Sequence, residues 1–213
     1  MMFTINELCD ACCNDDIQTV REIVTSKMVD INKMRYNGFT PLIHAVIHNH
    51  TEIVRYLLTL SELQLDTRDR HGMTALHRAC YRYNNIAVLR LLCKDRRCTS
   101  SVVNIKDGGG WTALTVAVYG GSLEIVKEVE KIKGIDFDSK TNSGRTLIGL
   151  AKAMNKTVVL EYLRDKKKKN TLRGMAASIV GKHLKNKKDI DALVDDLHIL
   201  KSLKPMVADF IDS

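Results

Sequence analysis

The chain has 213 residues, 45% of them apolar and 5% aromatic, and carries a net charge of +8. That length allows one ordinary domain, or one solenoid with a small appendage, and two prolines and twelve glycines exclude a low-complexity polymer. No stretch approaches the ~18 uninterrupted apolar residues of a membrane span, and the opening Met1-Met2-Phe3-Thr4-Ile5, with no basic region before an apolar run, is not expected to act as a signal peptide.

The six cysteines, Cys9, Cys12, Cys13, Cys80, Cys93 and Cys98, are therefore expected as free thiols in a reducing compartment, cytoplasmic and/or nuclear. Charge is uneven. Arg164 to Lys188 holds ten basic residues against one acid, and Asp189 to Ser213 holds six acids against two lysines. The first 163 residues are left with a charge of only +3.

In chain order, the first segment places Leu8, Ala11 and Cys12 on one helix, then Val20, Ile23 and Val24 on a second. A phrase then begins that recurs four times: Gly38-Phe39-Thr40-Pro41-Leu42, Gly72-Met73-Thr74-Ala75-Leu76, Gly110-Trp111-Thr112-Ala113-Leu114 and Gly144-Arg145-Thr146-Leu147-Ile148. The glycines are 34, 38 and 34 residues apart, a period that marks stacked repeats. Thr40 is suited to cap a helix and Pro41 to its first position.

Each phrase leads a helix pair. The first pair is Leu42, Ala45 and Val46, then Ile53, Val54, Leu57 and Leu58. The next is Leu76, Ala79 and Cys80, then Val88, Leu91 and Leu92. Leu114, Ala117 and Val118 precede Ile125, Val126 and Val129, and Ile148 and Ala151 precede Val158, Val159 and Leu163. The glycines are expected in turns with positive φ. Asn32, Asp66, Asn104 and Asp138, six residues before them, suit side-chain-capped turns. The 38-residue spacing implies a four-residue insertion, expected within Lys94 to Val103.

These phrases resemble the ankyrin repeat, Gly-x-Thr-Pro-Leu-His-x-Ala; Gly72 to Ala79 departs from it only at Ala75. The resemblance covers residues 1 to about 165. It implies an all-α solenoid of about five helix-turn-helix units, spanning 1–165, followed by a basic hinge and small helical tail over 166–213. It also implies that His77 joins a buried hydrogen-bond network.

The resemblance further implies a protein client bound at the turn tips and first-helix edges: Tyr36, Phe39, Arg70, His71, Met73, Tyr81, Arg82, Trp111, Tyr119 and Arg145. Phe39, Met73, Trp111 and Arg145 share the slot after the glycine. Trp, Tyr and Arg are the residues enriched at interface hot spots.

No enzyme is expected, because no nucleophile–base arrangement emerges and Gly108-Gly109-Gly110 lacks the Gly-Lys-Ser/Thr of a phosphate loop. No metal or cofactor is expected either. Cys9-x-x-Cys12-Cys13 has no second pair at zinc-ribbon spacing, and Cys12 shares a slot with Cys80, which suits a small buried thiol.

Beyond Leu163 the pattern changes. Arg164 to Asn170 is a charge run expected to be a solvated hinge, and Thr171 a cap for a helix bearing Leu172, Met175, Ala176, Ile179 and Val180. Ile190, Leu193, Val194, Leu197 and Leu200 follow as a second amphipathic set. This segment is similar to a SOCS box, whose opening pattern Thr171, Leu172, Ala176 and Val180 satisfy. The similarity implies that Leu172, Ala176 and Val180 bind elongin C, with elongins B and C and a cullin as partners in a ubiquitin ligase. Val207, Phe210 and Ile211 fit the end of the box, but Lys201-Ser202-Leu203-Lys204 stands where a Leu-Pro-apolar-Pro motif belongs. The basic run lacks interleaved aromatics for base stacking, and neither nucleic acid nor anionic membrane is expected as a partner of its charge.

Overall fold

The computed structural model describes residues 3–35, 38–81 and 86–183, the last nine as backbone only. Among them every regular element is a helix. They form pairs: α1 (Ile5–Cys13) with α2 (Ile17–Ser26), α3 (Pro41–Ile47) with α4 (Thr51–Leu58), and α5 (Ala75–Tyr81) with α6 (Ile86–Lys94). A short α7 (Ser100–Val103) precedes α8 (Ala113–Gly120) with α9 (Leu123–Val129), and α10 (Leu147–Ala153) is followed by α11 (Thr157–His183). First helices pack in the order α1, α3, α5, α8, α10, and second helices in the order α2, α4, α6, α9. The fold is an ankyrin-repeat solenoid, as the phrase spacing implies.

Caps set the helix starts. Thr40 accepts from Ile43 N–H at 3.2 Å with Pro41 at the first position, and Thr146 accepts from Gly149 N–H at 3.2 Å. Thr4 and Glu7 complete a capping box at α1. The small-residue slots Ala45, Ala79, Ala117 and Ala151 are fully buried and Ala11 nearly so, which lets the first helices lie close together.

Two register readings change. Val158, expected in the core, is 59% exposed, whereas Val159 is buried. It takes the place of Glu52, one residue before the buried Ile53. In α6 the buried residues are Val88, Leu89 and Leu92, not Leu91, one position later than α4 would give. One of the four extra residues therefore falls between Tyr81 and Ile86, and three fall after α6, where α7 forms.

The capped-turn expectation at Asn32 and Asn104 is also corrected. Their side chains reach the next unit: Asn32 Nδ2 donates to Glu62 O and its Oδ1 accepts from Gln64 N–H, both at 2.8 Å. Asn104 repeats this with Gly134 O at 2.8 Å and Asp136 N–H at 2.9 Å. A carboxylate cannot donate, so Asp66 cannot copy the first of these bonds. At that junction Arg97 braces the loop instead, donating to the carbonyls of Leu58 (2.7 Å), Leu60 (2.7 Å) and Leu63 (3.0 Å).

Chain contacts divide the molecule into Met1–Leu160 and Glu161–Ser213. The expected hinge at Arg164 to Asn170 is helical, within α11. Thr171 is not a cap: its hydroxyl donates to Lys167 O at 2.9 Å, inside the same helix. Lysine is a good helix former, and the Asp165–Lys169 pair at 2.9 Å adds i,i+4 support. Residues 184–213, with the second amphipathic set and the end of the box, lie outside the described residues.

Candidate functional site

Each tip is closed by the same pair of backbone bonds. Asp69 N–H donates to Met73 O and Gly72 N–H to Asp69 O, both at 2.8 Å; Asp107 with Trp111 and Gly110, Arg35 with Phe39 and Gly38, and Thr141 with Arg145 and Gly144 do likewise. Only a left-handed residue closes such a turn easily, and Gly72 (φ +78°) and Gly110 (φ +77°) supply it. Neighbouring tips are joined in turn. Gly108 N–H donates to His71 O at 3.0 Å, and Asn142 N–H to Gly109 O at 3.0 Å.

Aspartates stiffen two tips. Asp107 Oδ1 accepts from the N–H of Gly109 (2.8 Å) and Trp111 (2.9 Å). Asp69 Oδ1 does the same for His71 (2.7 Å) and Met73 (3.0 Å), while its other oxygen takes the Arg78 guanidinium at 2.8 Å. Sequence reading missed both. Their signal was available: each stands three residues before a phrase glycine.

Below the tips lies the buried His77. Its Nε2 meets Trp111 O at 3.0 Å, so Nε2 donates and Nδ1 accepts, the latter from Thr74 Oγ1 at 2.8 Å. Burial holds the ring neutral by lowering its pKa. Thr115 in the next unit reaches only Thr112, at 2.9 Å between hydroxyls, and does not bridge units.

The fold brings three of the expected contact residues together. Tyr81 and Tyr119, one slot on adjacent first helices, stack with centroids 6.3 Å apart and planes 12° apart. Trp111 from the tip meets Tyr119 edge-on at 5.2 Å and 74°. Tyr81 is 50% exposed, and Tyr119 and Trp111 are half-buried. Such amphipathic rings combine large contact area with few rotamers to freeze.

Phe39 is placed elsewhere: it meets His44 edge-on at 5.5 Å and lies under the Arg78 guanidinium at 5.2 Å. Met73 is half-buried, and Arg70, His71 and Arg145 are exposed. Tyr36 and Arg82 lie outside the described residues. Leu172 is half-buried on α11; the side chains of Ala176 and Val180 are outside the described set.

The buried thiols are core groups. Burial pushes Cys9 up to about 12 and Cys98 up to about 11, and raises Cys12 and Cys80 well above the usual thiol range. A thiol held protonated is a poor nucleophile. Among the described residues no helix is long and apolar enough to cross a membrane.

Comparison with known proteins bears on this frame. Residues 8–107 match the family of ankyrin repeats, in three copies. The chain carries ankyrin repeats. The ankyrin frame continues past the match, through the Gly110 and Gly144 tips and the packing of α8 and α10.

A B-cell lymphoma 3 protein homolog of Mus musculus is 35% identical over 57% of this chain and 26% of its own length. The SMC5-SMC6 complex localization factor protein 1 of Homo sapiens is 33% identical over 47% of this chain and 9% of its own. A putative ankyrin repeat protein of Fowlpox virus is 25% identical over 71% of this chain and 29% of its own. The chain thus spans less than a third of the length of these relatives. Ankyrin repeats are a protein–protein interaction fold.

Proposed function

We propose that the ankyrin stack holds a protein client against the ring cluster of Tyr81, Tyr119 and Trp111. Arg70, His71, Met73 and Arg145, with Tyr36, Phe39 and Arg82, would supply further contacts. The observation that carries this is the stacked cluster itself, assembled from two units and a tip and half open to solvent. No chemistry is asked of it. A client side chain or short segment would cover the rings and gain the apolar area they still expose.

The finer reading is a substrate-recognition adaptor of an elongin/cullin-type ubiquitin ligase, working in the cytoplasm and/or nucleus. The tail, 166–213, would recruit elongins B and C, and through them a cullin. Leu172, Ala176 and Val180 fall at i, i+4 and i+8 of α11, one helical stripe. Co-expressed elongins B and C are expected to co-purify with the full chain, and Leu172→Asp to abolish this. Absence of elongins, or their equal recovery with Leu172→Asp, would remove the adaptor reading.

A second reading rests on the continuity of α11. The helix runs through Thr171 without a break, as an extension that only caps the stack would. The protein is then a scaffold or inhibitor acting by client occupancy alone. On that reading deletion of residues 171–213 leaves client regulation intact; on the adaptor reading deletion abolishes it.

A further inference from the structure

We propose that Cys13, His44 and His48 form a zinc site at the junction of the first two units. Cys13 ends α1, His44 lies in α3, and His48 caps the C-terminus of α3, four residues beyond His44. The i,i+4 spacing puts both imidazoles on one side of that helix. The Cys13 sulfur and one ring nitrogen from each histidine all lie within 4.8 Å of one another. Cys13 Sγ stands 3.2 Å from His48 Nε2. Tetrahedral zinc, with arms of ~2.3 Å to sulfur and ~2.0 Å to nitrogen, sets its donors roughly 3.3–3.6 Å apart. The donors would have to draw in by at most about 1.5 Å to reach it.

The repeat frame does not ask for these residue types. In the slot of Cys13 the later units carry Ile47, Tyr81 and Tyr119; in the slot of His44, Arg78, Val116 and Leu150; in that of His48, Gly120 and Met154. Spacing along the chain argued against a metal because the partners of Cys13 come from the next unit, more than 30 residues on.

The surroundings orient the donors. His50 Nε2 donates to Cys13 O at 2.9 Å, its Nδ1 faces Asp15 at 3.3 Å, and its ring stacks on His48 at 5.8 Å. Phe39 packs edge-on against His44. Arg35, a cation that acts on His44, is ion-paired with Asp10. His44 is buried and His48 exposed, which leaves the fourth position to water or to a donor from a partner. One thiolate and two imidazoles suit Zn²⁺. Binding converts the Cys13 thiol to thiolate and releases one proton, with no redox change. The ion would tie the first unit, which lacks the Gly-x-Thr opening, to α3.

The test titrates the reduced full chain with Co²⁺ as a spectroscopic probe, then with Zn²⁺. One Co²⁺ per chain is expected, with a thiolate-to-cobalt charge-transfer band that Zn²⁺ removes by displacement. Cys13→Ser should abolish the band, and His48→Gln should weaken Zn²⁺ binding at least about tenfold, since even outer-shell changes cost that much. Cys93→Ser, on α6, should change neither. Absence of the band, its survival in Cys13→Ser, or wild-type Zn²⁺ affinity in His48→Gln would overturn the site. If Cys13→Ser loses helix content, His48→Gln at its exposed position decides alone.

Discussion

Arg97→Ala is expected to cost about 2–4 kcal/mol of stability and to lower the Tm by roughly 5–15 °C. The side chain makes three charge-assisted bonds to the carbonyls of Leu58, Leu60 and Leu63, and pairs with Asp95 at 2.7 Å. Truncation removes the Arg97 donors from those carbonyls, of which Leu60 O keeps the Leu63 N–H, and leaves Asp95, whose side chain is only 10% exposed, without its guanidinium partner. Hydrogen bonds to Arg97 hold the Asp95 carboxyl below the usual carboxylate range, in accord with that pairing. Arg97→Lys is expected to recover little, because an ammonium cannot span three carbonyls as a planar fork does. Thermal and urea denaturation of the two variants check this; a loss below ~0.5 kcal/mol for Arg97→Ala would contradict the bracing role.

Gly110→Ala is expected to lose about 2–4 kcal/mol, and Gly144→Ala only about 1 kcal/mol. Both glycines have positive φ, +77° and +74°, so both pay the left-handed penalty of a side chain. They differ in what surrounds them. A Cβ on Gly110 would lie 2.7 Å from the backbone N of Asn142, forcing the next tip to move, whereas nothing lies within 4 Å of one on Gly144. Paired urea melts measure the difference. Equal losses would mean that the tips are not packed on each other as the Gly109–Asn142 bond indicates.

The parts of this molecule legible in its sequence are those fixed within a few residues. Gly-x-Thr announced a left-handed turn and a helix cap because both are local demands of backbone geometry, and Gly38, Gly72, Gly110 and Gly144 all meet the first. His77 could be assigned because the Gly72–Ala79 phrase preserves nearly every letter around it. Contacts 30 or more residues apart were not legible. Asn32 and Asn104 looked like local turn residues and instead bridge units. Arg97 lies in the Lys94 to Val103 segment, which was read only as the place of an insertion. Thr171 looked like a cap, yet the lysine run before it propagates a helix that never ends there.

The contact surface was half legible. Slot arithmetic placed Tyr81 and Tyr119 on one edge, and their stacking follows from the close approach of α5 and α8 that Ala79 and Ala117 permit. The same arithmetic grouped Phe39 with Trp111, but Phe39 packs against His44 and Arg78 instead. A slot fixes where a Cα sits; the neighbours decide where the ring goes.

The most direct measurement is quantitative capture of partners from native lysate by the wild-type chain and by a Tyr81→Ala, Trp111→Ala variant of unchanged helix content and closely similar Tm. Partners enriched on the wild type are expected to fall at least about tenfold on the variant, since two ring anchors each contribute ~1 kcal/mol or more. The same partners held at undiminished recovery by the folded variant would contradict binding through the ring cluster.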